Sequence, residues 1–282
     1  MGDSQPPESD DRARHLLEQL ARASAELLGQ TAPTQVMSSG SVDDLWQVPL
    51  PLRWELQVRY LWHSAADSFD IVAAILQKRA SSSALAQVRL LLEHLCVMRW
   101  LVESTDARQH RAYLLARQEI LDASEMWRRV ERTHILTGND AAVVKRAITN
   151  LKDWKFELKS MAKEVGLDLS IPVPTTVELF DQYGLDYMDY KLLSDIGSHV
   201  GLAFVSTMFN DRRTQSINLD LGGAVAFRAY QLSKAYLSFA SIVELVGSTE
   251  RGPLEAIVRQ HYAATKPLLA TAEALWIERS RE

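Results

Sequence analysis

Arg89 and Glu93 stand one helical turn apart in the segment 85–98, LAQVRLLLEHLCVM, where nearly every other residue is apolar. Four residues on a helix subtend about 40°, so the two charges share a face, and Leu85, Cys96 and Trp100 share it with them. A helix that is apolar on nearly every side is buried, and a charge within it costs several kcal/mol unless it is paired. Two uses fit such a pair. It can be an ion pair that fixes how helices dock, or a guanidinium held by Glu93 so that its fork points at a carboxylate or phosphate. A second polar segment, 190–201, reads YKLLSDIGSHVG. On a helix Tyr190, Ser194, Gly197 and Gly201 fall on one face, with two hydroxyls beside a contact that glycine makes close. Asp195 and His199 lie on roughly the opposite face, where a carboxylate one turn away can orient an imidazole for general base work; the plainer reading is a hydrogen-bonded core histidine. The helix of residues 186–209 is expected to pack on 85–103 through Gly197 and Gly201 and bring Tyr190 or Ser194 within reach of Arg89 or Glu93.

The third set is basic. Residues 106–165 hold 12 Lys/Arg against 9 Asp/Glu, while the rest of the chain holds 19 against 27. Lys152, Lys155, Lys159 and Lys163 follow one another along one helix, with Arg128, Arg129 and Arg132 on the helix before it. A basic hairpin on an acidic chain is an anion surface or simply two solvated helix faces.

These residues must be positioned by helices. A first helix is expected over 9–28 with Gly29 as its stop, followed by a loop over 30–51 whose Trp46 tucks onto the body. Helices follow over 53–79 and 85–103, separated by serines 81–83. Two more run over 106–135 and 141–165, joined by a turn at Thr137, Gly138, Asn139 and Asp140; Gly166 ends the second. Pro172 and Pro174 make 166–174 a loop. A short helix over 175–183, punctuated by Gly184, precedes a helix over 186–209. Residues 211–221 are the least helical part, a surface loop or a short β excursion. Helices over 223–246 and 253–280 close the chain, the last kinked at Pro267. The pattern predicts an all-α fold, a multi-helix bundle around a buried central helix at about 85–103. Residues 1–8 are expected to be a disordered leader and 9–282 a single domain whose first and last helices sit at its periphery.

Composition narrows the function. The formal net charge of −5 argues against coating nucleic acid by bulk charge. The single cysteine, Cys96, allows no intrachain disulfide, which suits a reducing cytoplasm; its place in an apolar helix makes it packing rather than nucleophile. No apolar run is long enough for a membrane span. Glu131 and His134 form one E-x-x-H, but di-iron bundles need two with further inward carboxylates, so no metal site and no cofactor are expected. Asp43 and Asp44 lack the third acid of a D-D-x-x-D motif, and there is no phosphate-cradling G-x-x-x-x-G-K-[ST] and no C-x-x-C.

Two resemblances attach to these residues. Arg89 followed at five residues by His94 resembles the R-x-x-x-x-H signature of the HEPN superfamily, helical domains many of which cut RNA with that Arg and His bracketing the phosphate; Leu90 stands where family motifs carry a polar residue. The Arg89-x-x-x-Glu93 helix with the later Tyr190, Ser194 and His199 helix is similar to a bacterial all-helical family of unknown function, over about 50–247. That likeness implies a fold and a shared polar site, in a protein of stress response or phage defence. The expected protein is cytoplasmic and binds nucleic acid or an anionic small molecule at an internal polar site. The catalytic candidates are Arg89, Glu93, His94 and His199, and a homo-oligomer is a possible assembly; the alternatives are a HEPN-type ribonuclease using Arg89 with His94 or His199, and a helical interaction scaffold with no catalytic site.

Overall fold

The computed structural model of the chain describes residues 8–31, 53–78, 83–133, 138–185, 210–211, 216–217, 222–250 and 253–281. Among them are eight helices: α1 (Glu8–Thr31), α2 (Arg53–Lys78), α3 (Ser83–Val102), α4 (Arg108–Thr133), α5 (Asn139–Glu164), α6 (Thr176–Gln182), α7 (Gly222–Glu250) and α8 (Pro253–Arg281). The fold is all-α. The β structure among the described residues is a two-residue antiparallel pair, β1 (Asn210–Asp211) with β2 (Ser216–Ile217), in which Asn210 faces Ile217.

Residue contacts gather into two compact units. The first comprises Met1–Ser38, Val58–Glu103 and Thr176–Glu282; the second comprises Ser39–Gln57 and Ser104–Thr175. In the first unit α7 packs against α1, α3 and α8. Its middle buries Leu232, Ala235, Tyr236, Phe239, Ala240, Ile242 and Val243, with Gln231 and Ser233 buried among them. Helix α3 is equally sealed over most of its circumference, with Val88, Leu91, Leu92, Leu95, Cys96, Met98, Leu101 and Val102 buried. Helix α2 presents Val58, Leu61, Trp62, Ala65, Phe69 and Val72 at spacings of three and four residues, the stripe a core-facing helix needs. Two of these rings, Trp62 and Phe69, meet Phe239 of α7 edge-on. Helix α1 buries Leu16, Leu20 and Leu27 fully and turns its Ser24 hydroxyl back to the Leu20 carbonyl at 2.8 Å. It continues past Gly29 to Thr31. A helical glycine costs about 1 kcal/mol relative to alanine, which weakens a helix without ending it.

The second unit is a helical hairpin. Tyr113, Ala116 and Ile120 of α4 interlock with Leu151, Leu158 and Ala162 of α5, and Ala123, Trp127, Trp154, Met161, Leu167 and Leu169 close around them. Gly166 ends α5 as its position predicts. At φ +70° it lets its own amide reach the Lys163 carbonyl (3.2 Å) while the Leu167 amide reaches Ala162 (2.8 Å), the paired bonds of a left-handed helix stop. The same stop closes α6, where Gly184 has φ +76° and the Leu185 amide bonds the Phe180 carbonyl at 2.8 Å.

Candidate functional site

Helix α3 places the first set of candidates. The Arg89 Nε–H donates to Glu93 Oε1 at 2.7 Å, so the pair forms as its spacing requires. It lies on the less buried side of α3, near Leu90, and its two side chains keep 22% and 23% of their exposure. Water therefore shares in solvating both charges, and the pair belongs nearer the ~0–1 kcal/mol of open ion pairs than the several kcal/mol of sealed ones. His94 leaves the helix about 140° from Arg89 and finds a different partner: its Nδ1 lies 3.0 Å from Ser64 Oγ of α2. The R-x-x-x-x-H spacing thus does not join these two side chains at one point.

Burial holds the His94 pKa below the usual imidazole value, with the Glu93 charge opposing. A base whose folded pKa is depressed is protonated more readily in the unfolded chain. Its share of stability is therefore complete above the ordinary imidazole pKa, about 6.5, and is lost as the pH falls from there through the folded value. Wild type should melt at progressively lower temperature between pH 7 and pH 5, and His94→Gln should flatten that decline. Parallel melting curves for the two proteins across this range would contradict the burial of His94.

Cys96 is buried, and desolvation pushes its thiol up to about 12, so it has no thiolate to offer. At the end of α3 lies a polar tie that sequence reasoning missed. The Tyr183 hydroxyl donates to Glu103 Oε2 at 2.8 Å, Gln182 Nε2 donates to Glu103 Oε1 at 3.1 Å, and the Arg99 guanidinium sits 4.6 Å above the Tyr183 ring. Its members are some eighty residues apart in the chain and carry no local spacing signal. Tyr190, Ser194, Asp195 and His199, with Gly197 and Gly201, lie outside the described residues, as does His134.

The hairpin places the second set. Counting about 100° per residue, Lys145, Thr149, Lys152, Phe156, Lys159 and Lys163 fall within roughly 80° of one another on α5. All six are exposed. The buried face, Val144, Leu151, Leu158 and Ala162, lies to one side of this row. The acids Asp153, Glu157 and Glu164 lie to the other side. No ion pair involves Lys145, Lys152, Lys155, Lys159 or Lys163 among the described residues. The arginines of α4 differ: Arg129 and Arg132 both approach Glu125, at 3.9 and 3.7 Å. Lys155 stands nearer the helix interface, where with Lys152 and Arg128 it lines an open groove of about 440 Å³ shared with Asp122 and Glu125. The expected basic surface thus resolves into a lysine row on α5 without an ion pair among the described residues and an arginine cluster on α4 of which Arg129 and Arg132 share Glu125. Lys145 and Phe156 belong to the row and were not singled out from the sequence, although the repeat of four and three residues from 145 to 163 would have found them.

The loop after α5 is tied down. His110 Nε2–H donates to the Asp168 carbonyl at 2.6 Å, and Arg117 donates to the Leu169 carbonyl. Asp168 accepts from the Ser170 amide (2.7 Å) and hydroxyl (2.8 Å), and these bonds hold its carboxyl below the usual range. No group of three or more metal-ligating side chains occurs among the described residues, and none of their helices is long and apolar enough to cross a membrane. No protein-family model, no curated protein and no solved structure matches the chain.

Proposed function

We propose that the hairpin of α4 and α5 is a binding surface for a phosphate polymer, a nucleic acid held through its backbone. The observation that carries this reading is the row of Lys145, Lys152, Lys159 and Lys163 on one face of α5, exposed and without an ion pair among the described residues. Structural lysines on a helix surface are commonly matched by acids one turn away. Here the acids of α5 stand on a different face, which leaves a line of positive charge about 27 Å long at 1.5 Å per residue. Such a line suits an extended chain of phosphates better than a single small anion. The binding is electrostatic in origin and asks for no catalytic group. The polar residues of α3 are structural in this reading: Arg89 is engaged by Glu93, and His94 stands beside Ser64.

Titration of labelled oligonucleotides by fluorescence anisotropy tests it. Four phosphate contacts to a single strand give a log–log slope of affinity against salt of about −3, and each lysine removed lowers it by about 0.7. Lys152→Ala with Lys159→Ala should therefore flatten the slope by roughly 1.4 and weaken binding to every sequence alike. Binding absent at low salt, or unchanged in the double variant, would sink the proposal.

A further inference from the structure

Phe156 is 78% exposed, the most exposed of the large apolar side chains among the described residues. It stands inside the lysine row, four residues after Lys152 and three before Lys159, about 6 and 4.5 Å away along the helix axis. Building on the reading of the hairpin as a phosphate-polymer surface, we infer that it selects single-stranded nucleic acid, with Phe156 as the platform on which one unpaired base stacks.

The chemistry is specific to that occupant. A base has a π-face that an aromatic ring accepts irrespective of sequence, and that face is reachable only where the base is unpaired. The lysines on either side are spaced to hold the phosphates flanking the nucleotide that stacks. In a duplex the faces are occupied by neighbouring bases, and Phe156 would find nothing but a charged backbone. A membrane surface is the other occupant that lysines with an aromatic suggest. An interfacial helix, however, needs a continuous apolar face to insert, and the apolar face of α5 is spent in the hairpin core through Val144, Leu151, Leu158 and Ala162. Phe156 is flanked only by lysines and Thr149 on its own face, which leaves one ring and no stripe.

The test compares three probes of equal phosphate number on the full chain: an oligo(dT), an abasic strand that keeps the phosphates and lacks the bases, and a duplex. Wild type should bind oligo(dT) roughly ten-fold or more tighter than the abasic strand. Phe156→Ala should erase that preference while leaving the salt slope and the affinity for the abasic strand unchanged, and Phe156→Tyr should restore it. The side chain is exposed and alanine favours a helix, so the fold is not at stake in this variant. Equal binding of oligo(dT) and the abasic strand by wild type would overturn the stacking inference and leave the lysine reading standing. A preference that survives Phe156→Ala, or tighter binding of the duplex, would overturn it too. Failure of all three probes at low salt, with binding to phosphatidylserine vesicles, would overturn the lysine reading itself.

Discussion

Phe239→Ala should cost the first unit about 3–5 kcal/mol of stability, the range for truncating a large aromatic in a packed core. Phe239 is 1% exposed and sits where α7 meets two rings of α2. The Trp62 ring lies 4.7 Å away at 69°, and Phe69 lies 6.3 Å away at 73°. Edge-on pairs of this kind add about 0.5–1.5 kcal/mol beyond their buried area. Both would be lost with one substitution, and the cavity would open on α7, the helix against which α1, α3 and α8 pack. The measurement is the denaturant midpoint with its slope unchanged. Leu237→Ala is the control: two positions away and 40% exposed, it should move the midpoint far less. Similar small losses for both would mean that α7 is not the core helix.

The matching experiment in the second unit is Tyr113→Ala, for which a loss of about 3–5 kcal/mol is again expected. Tyr113 is 1% exposed at the α4 end of a core whose other members are two alanines and three branched aliphatic residues. It is the largest of the six buried side chains of that core, so its truncation removes the largest single share of their apolar area. The loss should appear in the hydrogen exchange of α5 amides around Leu151 and Leu158, whose protection depends on α4 remaining docked. Val143→Ala, at a side chain 54% exposed, should leave that protection intact. Exchange unaltered by Tyr113→Ala would show that the hairpin is held by something other than this core.

The helices were legible because apolar periodicity and glycine stops are local signals. Gly166 and Gly184 both adopt the positive φ that their positions implied. The prominence of α7 was less legible. Its few charges stand singly, with no opposite pair one turn apart to draw attention, whereas α3 was conspicuous for Arg89 and Glu93. Those same charges were over-read. Arg89 and Glu93 do pair, but spacing alone cannot say on which side of a mostly buried helix they emerge, and they emerge on the side that water reaches. On the hairpin, Lys152, Lys155 and Lys159 were visible as charges. The contact of Glu125 with Arg129 follows from their spacing on one helix, whereas the groove that Lys152 and Lys155 share with Asp122 and Glu125 depends on how α4 docks on α5.

Cys96 gives the molecule an internal clock. It is the only cysteine in the chain, and in the folded state its sulfur is both covered and held protonated well above neutrality. In the open chain the same thiol returns to an ordinary pKa near 8.5 and meets any reagent in solution. The rate of alkylation in mildly alkaline buffer is then the rate, or the frequency, at which α3 leaves its neighbours. The least reactive residue of the native protein thereby becomes a record of how often the native protein ceases to exist.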